Sequence, residues 1–235
     1  MALPPPDEKA AVVRAMFDRI APRYDLLNRL FSLRLDQHWR RLTVRAAAVS
    51  ARDTVVDLAC GTGDLSELAA RTGARVVGVD FAANMLAGAR RRGIGAAFVQ
   101  ADAGCLPLPR AWATVVVSGF ALRNFVSIPA VLTEIARVLQ PGGRLALLEV
   151  DTPSNQLLSW GHALYFNRLV PVLGALLSDA RAYAYLPRSV SYLPAGEELQ
   201  RMVEAAGFRW VTKRRLAGGI AQIVTAVREG GGTKG

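Results

Sequence analysis

Asp57-Leu58-Ala59-Cys60-Gly61-Thr62-Gly63-Asp64 (DLACGTGD, residues 57–64) follows the β-branched run Thr54-Val55-Val56. It precedes a segment whose Leu65, Leu68 and Ala69 fall on one helical face, so the stretch reads as strand, tight turn, helix. Gly61 and Gly63 permit the turn and let a ligand lie against bare backbone at a helix start. The stretch is the first turn of a βαβ architecture and the place to look for a bound small molecule.

Outward from that turn, six further short apolar runs follow: 74–80, 96–102, 113–119, 144–150, 208–216 and 220–227. The first five runs of the chain are separated by helical patterns, which predicts a mostly parallel sheet covered on both faces. The clearest predicted helix spans Pro129 to Gln140, with Val131, Leu132, Ile135, Val138 and Leu139 on one face and Pro141-Gly142-Gly143 as its stop. The last two runs flank Gly218-Gly219 and read as an antiparallel hairpin at one edge. The expected fold is α/β: a seven-stranded, doubly wound, mostly parallel sheet with one reversed strand. Two segments stand outside it, a helical one at 8–50 and another at 151–195. Ligands of open α/β sheets bind at the carboxyl ends of the strands, where such segments serve as lids and substrate walls. The whole chain, 1–235, is expected to form one domain.

Acidic residues close the next two runs. Asp80 lies 17 residues beyond Gly63, where a carboxylate can accept both hydroxyl hydrogens of a ribose, and Asp102 is placed to meet an adenine edge. A dinucleotide dehydrogenase is the rival reading, but the full GxGxxG pattern needs glycine at 66, which is Ser66. A pyrophosphate also disfavours an acid at the helix start, whereas here Asp64 opens the helix and Asp57 precedes the loop. An ammonium-bearing, phosphate-free ligand fits this surround, and S-adenosylmethionine is one. An ordinary glycine turn is the blandest alternative, and the three strand ends in register weigh against it.

The net charge of +10 attracts nucleic acid, anionic headgroups or acidic substrates alike, and also describes an arginine-rich solubilising surface. At 51% hydrophobic and 20% charged residues the composition is globular. Two cysteines, Cys60 and Cys105, form no disulfide framework or CxxC spacing, which points to a reducing cytoplasm. The start MALPPPDEK lacks the apolar stretch of a signal peptide. No cysteine pair or histidine cluster indicates a metal. No array of stacking aromatics marks an RNA-binding surface, so no nucleic-acid partner is expected.

Five segments carry a family resemblance: MFDRIAPRYDLLNRLFSLRLDQHWRR (16–41), DLACGTGD (57–64), FALRNF (120–125), RVLQPGGRLALLEV (137–150) and AYAYLPRSV (182–190). In this order they resemble the ubiquinone/menaquinone biosynthesis C-methyltransferases, over roughly residues 13–225. The resemblance implies a Rossmann-like class I methyltransferase fold, S-adenosylmethionine as methyl donor, and a prenylated quinol as acceptor. A demethylmenaquinol is the first expectation and a benzoquinol the second. It places cofactor contacts at Thr62, Asp80, Asp102 and Ala103, beside the Asp57, Gly61 and Gly63 of the loop. Where the family commonly has serine before Phe-Gly, this chain has Gly119, which leaves Ser118 as the candidate replacement.

Methyl transfer to a ring carbon needs an electron-rich quinol, and a phenol pKa near 10 means that a base, a cation or an ordered water must assist. Arg123 and Asn124 are the candidates to stabilise the quinolate and to position its oxygen or a water, with a structural ion pair as the competing role for Arg123. Tyr24, Asp25, Tyr183 and Tyr185 are candidate wall residues, Asp25 and Tyr183 foremost; simple packing is their alternative. His38 reads as a helix-surface or cap residue rather than a base. Membrane contact follows from the prenyl tail, with surface arginines facing anionic headgroups at the inner face of the plasma membrane. The apolar run Leu169–Leu177 is nine residues, too short to span a bilayer, and suits a tail groove, core packing or a homodimer contact. A methyltransferase for RNA or a soluble metabolite, and a cofactor-binding scaffold without turnover, are the competing functions.

Overall fold

Seven strands form one sheet in the computed structural model, which describes residues 5–151, 185, 188–194 and 197–230. They are β1 (Thr54–Leu58), β2 (Arg75–Asp80), β3 (Ala97–Gln100), β4 (Ala113–Gly119), β5 (Leu139–Val150), β6 (Phe208–Leu216) and β7 (Ala221–Arg228). The order across the sheet is β3-β2-β1-β4-β5-β7-β6. β1 pairs in parallel with β2 and β4, and β7 alone runs against its two neighbours, β5 and β6. The described helices are α1 (Pro6–Phe31), α2 (Leu35–Ala46), α3 (Asp64–Ala70), α4 (Ala83–Arg91), α5 (Ile128–Val138) and α6 (Glu198–Ala205).

Alternation along the central strands explains why helices cover both faces. Val56, Val116, Leu145 and Leu147 face a core that includes Val131, Leu132 and Ile135 of α5 with Leu199 and Val203 of α6. Their neighbours Val55, Val115, Val117 and Ala146 face Val44 of α2 and Leu65 and Ala69 of α3. A strand buried on both faces must be apolar throughout, which is why β1 and β4 read as near-continuous valine runs. Each large side chain so buried contributes roughly 1.5–3 kcal/mol relative to exposure.

The end of one predicted helix and the end of one predicted strand differ from the sequence reading. Helix α5 ends at Val138 and Leu139 is already extended (φ −70°, ψ 144°), so it begins β5 and pairs with Ala113. Its start agrees: the Ser127 hydroxyl accepts from the Ala130 N–H and Pro129 sits in the first turn. β3 ends at Gln100, so Asp102 lies beyond the strand, its Oδ1 accepting the Gly104 N–H at 2.7 Å. The hairpin turns through Ala217–Gly219, and it is β7 rather than β6 that abuts β5. The exposed edge is therefore β6, broken by a register shift between Arg209 and Thr212 and carrying Arg214 and Arg215, devices that discourage edge pairing.

α1 lies over this framework. Its Val13, Met16, Ile20 and Leu27 pack on Ala82 and Met85 at the start of α4. Hydrogen bonds hold it there: the Asn84 N–H donates to Asp18, and the Lys9 ammonium donates to the Phe125 carbonyl at 2.7 Å. No helix among the described residues is long and apolar enough to cross a membrane.

Candidate functional site

The carboxyl ends of β1, β2 and β4, with the turn beyond β3, surround a cavity of about 190 Å³. Leu58, Ala59, Asp80, Phe81, Met85, Asp102, Ala103 and Gly119 line its inner part. Ala10, Phe17 and Tyr24 of α1, with Asn124, Phe125 and Val126, line the outer part. Of the residues expected to meet cofactor or substrate, Asp80, Asp102, Ala103, Asn124 and Tyr24 reach the cavity wall.

Asp80 is 6% exposed and held from two sides, Oδ2 accepting the Gly61 N–H at 2.8 Å and Oδ1 the Ala82 N–H at 2.9 Å. Burial raises its pKa, and these backbone N–H groups oppose the rise. The glycine loop is thus locked onto the second strand end. Gly63 has a φ of +87°, so the position requires glycine for its conformation, and a Cβ there would also press on the tip of Ile94 at 2.8 Å.

The loop residues support the cavity from behind. Thr62 Oγ1 donates to Asp25 Oδ1 at 2.5 Å, which ties α1 to the loop. Asp25 therefore sits on the loop and not among the cavity-lining residues. Asp64 departs from the expectation of a bare negative surround. Arg92 Nη1 and Gln37 Nε2 each approach it to 2.8 Å, and Arg40 and Arg29 lie at 3.7 Å. Burial alone would raise its pKa, but the Arg40 charge with the Gln37 and Arg92 hydrogen bonds lowers it. The sequence shows the acid and cannot show the four partners, which come from three separate segments.

Asp57 is buried, with Ser66 Oγ donating to Oδ2 at 2.6 Å and Oδ1 lacking a hydrogen-bond partner. Burial pushes its pKa to about 7, against the opposing Ser66 bond and Arg40 charge. A folded-state pKa raised from the ordinary carboxylate value means the native state binds the extra proton between about pH 4 and pH 7. Stability from this group is full below that window and is lost as pH rises through it. Asp57→Asn removes the dependence. Its stability relative to the parent, read from urea midpoints, should rise by roughly 2 kcal/mol between pH 5 and pH 8. A difference that does not change with pH would show that Asp57 is ionised throughout.

Ser118 is turned into the sheet. Its hydroxyl donates to the Leu58 carbonyl at 2.7 Å within the sheet, and the residue is 2% exposed. Gly119 lines the cavity instead, and a Cβ on it would meet Leu65 Cδ1 at 3.0 Å and Arg40 Nη1 at 3.2 Å. The buried Arg40 guanidinium occupies space a side chain at 119 would need.

Arg123 and Asn124 belong to a 3-10 turn, Leu122–Asn124, just after β4. Asn124 faces the cavity, and Tyr185 Oη donates to its Oδ1 at 3.4 Å. Arg123 points the other way, into an ion pair with Glu149, whose side chain is 1% exposed. Glu149 Oε2 and Gln222 Oε1, from paired positions of β5 and β7, are buried without hydrogen-bond partners. Although set back from the cavity, the Arg123 charge lowers the pKa of both Tyr24 and Tyr185. Burial outweighs it in each case, raising Tyr24 and pushing Tyr185 up to about 12. Both phenols are neutral at pH 7 and act there as hydrogen-bond donors, not bases.

Tyr183 lies outside the described residues, and His38 is exposed on α2. Glu149, Gln222 and Arg40 are not among the residues that the sequence singles out. Glu149 leaves one signal, an acid inside the otherwise apolar run of β5. Among the described residues no group of His, Cys, Asp and Glu side chains is arranged to hold a metal.

Comparison with known proteins extends this reading. A methyltransferase from Aquifex aeolicus that uses S-adenosylmethionine superposes with a TM-score of 0.59 at 15% identity, covering 80% of this chain and 88% of that one. At that identity the likeness speaks for the fold alone. Sequence says more. The demethylmenaquinone methyltransferase of Thermus thermophilus is 46% identical over 215 residues, 88% of this chain and 97% of its own length. The ubiquinone/menaquinone biosynthesis C-methyltransferase UbiE of Syntrophotalea carbinolica is 43% identical over 92% of this chain and 93% of its own. The model of the ubiE/COQ5 methyltransferase family matches residues 6–228, so α1, the glycine loop, the Arg123–Glu149 pair and the closing hairpin all fall within one match, and the chain belongs to that family.

Proposed function

We propose that this enzyme methylates a ring carbon of a prenylated quinol with S-adenosylmethionine as donor, demethylmenaquinol being the first acceptor and the benzoquinol of ubiquinone biosynthesis the second. The observation that carries the reading is the cavity itself. Its inner wall offers a backbone-held carboxylate, Asp80, and its outer wall is aromatic, with phenol and amide groups at Tyr24 and Asn124, the latter hydrogen-bonded by Tyr185.

S-adenosylmethionine fits the residues present. Asp80 keeps free acceptor capacity for ribose hydroxyls after its two backbone bonds, Asp102 and Ala103 adjoin it, and Leu58, Val79 and Met85 supply an apolar surface for a base. The donor supplies an electrophilic methyl group on a positively charged sulfur. The protein's task is to hold the quinol carbon in line with that methyl and to keep water away, which Phe17, Phe125 and the α1 lid do by lining the outer cavity. Arg123 stabilises negative charge developing on the ring oxygen through its field, while Asn124 and the Tyr185 hydroxyl orient that oxygen. The ring proton released with methylation leaves through water, since Tyr24 and Tyr185 are poor acceptors. The prenyl tail brings the enzyme to an anionic membrane surface on the cytoplasmic side.

The test offers purified enzyme and methyl-labelled S-adenosylmethionine with demethylmenaquinol, a demethylated benzoquinol and RNA, each alone. Label should enter a quinol, and demethylmenaquinol most rapidly. Label found solely in RNA would sink the proposal.

A further inference from the structure

Arg40 is a buried cation in the middle of α2, its side chain 8% exposed and its Nε without a hydrogen-bond partner. Asp36 Oδ2 and Asp64 Oδ2 each stand 3.7 Å from that nitrogen, beyond hydrogen-bond length. Both carboxylates already accept shorter bonds from other donors, Asp36 from Ser32 Oγ at 2.6 Å and Asp64 from Gln37 and Arg92 at 2.8 Å. The acids balance the charge of Arg40 and leave its donors unused. A buried guanidinium is costly in that condition, and a ligand that accepts from it relieves the cost.

The guanidinium reaches the carboxyl end of β4. A Cβ on Gly119 would lie 3.2 Å from Arg40 Nη1, and Arg40 Cζ is 5.4 Å from the centre of the Phe120 ring. Gly119 and Phe120 both line the cavity, so bare glycine backbone stands between this cation and the ligand space. The charge is also felt at Tyr24, another wall residue. Burial raises the pKa of that phenol, and Arg40 is the largest influence against the rise.

Sheet order indicates which part of the donor comes nearest. With the ribose at Asp80, closing β2, and the base toward Asp102, just past β3, the nucleoside takes the β2–β3 side of the cavity. β1 and β4 come next in the order, so the amino-acid end of S-adenosylmethionine extends toward Gly119. That end carries a carboxylate, which a buried site must meet with donors or a cation. The described residues lining the cavity include no lysine or arginine, and Arg123 is turned to Glu149. We propose that Arg40 binds the carboxylate of S-adenosylmethionine at the β4 side of the cavity, opposite the Asp80 end. Holding both ends fixes where the methyl between them points, which makes Arg40 a positioning residue for the transfer. The inference rests on the ribose being at Asp80 and is independent of the acceptor.

The experiment is calorimetry on the full chain with S-adenosylmethionine, its decarboxylated form, and methylthioadenosine, which keeps the nucleoside and lacks the amino acid. The parent should bind S-adenosylmethionine about tenfold tighter than the decarboxylated form, the scale of a hydrogen bond to a charged group. In Arg40→Gln that preference should vanish, while methylthioadenosine binds as it does to the parent and so reports an intact site. Arg40→Lys keeps a charge beside Asp36 and Asp64 and answers the question should Arg40→Gln not fold. Without the planar fork it should lose about threefold of the preference. A parent that binds S-adenosylmethionine and its decarboxylated form alike overturns the proposal. So do variants that weaken all three ligands equally, since Arg40 is then a strut between its two aspartates. A parent that binds none of the three sinks the donor placement itself, and the proposal with it.

Discussion

Arg123→Ala is expected to lose both stability and turnover, and the two losses are separable. The ion pair with Glu149 is buried, so deleting the cation leaves a carboxylate uncompensated in the sheet, a loss of about 3–5 kcal/mol. If the Arg123 field also stabilises the quinolate, turnover should fall by at least a hundredfold, the scale of losing one electrostatic stabiliser. The discriminating protein is Arg123→Met/Glu149→Gln. It removes both charges and keeps an acceptor for the Val150 N–H that Glu149 now serves. Its urea midpoint should recover most of the way to the parent while turnover stays low. A double variant with parental turnover would make the pair a strut and nothing more.

Asp80→Ala is the second large effect, and it falls on cofactor affinity. The Gly61 and Ala82 N–H groups lose their acceptor, which costs about 1–3 kcal/mol for each group left buried, and on the proposed reading the ribose loses a charged partner. Calorimetry should show S-adenosylmethionine binding weakened by at least a hundredfold, about 2.7 kcal/mol. Asp80→Asn keeps one acceptor oxygen, so it should hold the loop better and lose roughly tenfold in affinity. An Asp80→Ala protein that folds and binds with parental affinity would remove this residue from the cofactor site.

Local chemistry makes the sheet legible in the sequence. The valine runs of β1 and β4 can only be strands buried on both faces, and Gly61 and Gly63 can only serve a turn. The place of Asp80 is legible for the same reason, since it ends a strand beside that turn. What the sequence hides depends on distant segments meeting. Asp64 looks free because Arg92, Gln37 and Arg40 lie far from it along the chain, yet the fold gathers them around its carboxylate. Arg123 looks aimed at substrate because its partner Glu149 is 26 residues on, across a strand pairing. Ser118 looks like a substitute for a missing serine, but strand alternation turns it into the sheet and leaves Gly119 at the wall. Side-chain identity is readable throughout; side-chain direction and partnership are not.

The position of β7 sets a condition on folding as well as on structure. β6 pairs with β7 alone, and β7 fills the slot beside β5, so the sheet closes only when residues 221–228 arrive. A chain in which β7 has not yet docked can already pair β1 through β4. Its β5 edge, with the Glu149 carboxylate on it, is still open. β7 is the strand that seals the interior, and until it docks the edge of β5 is free to pair wrongly.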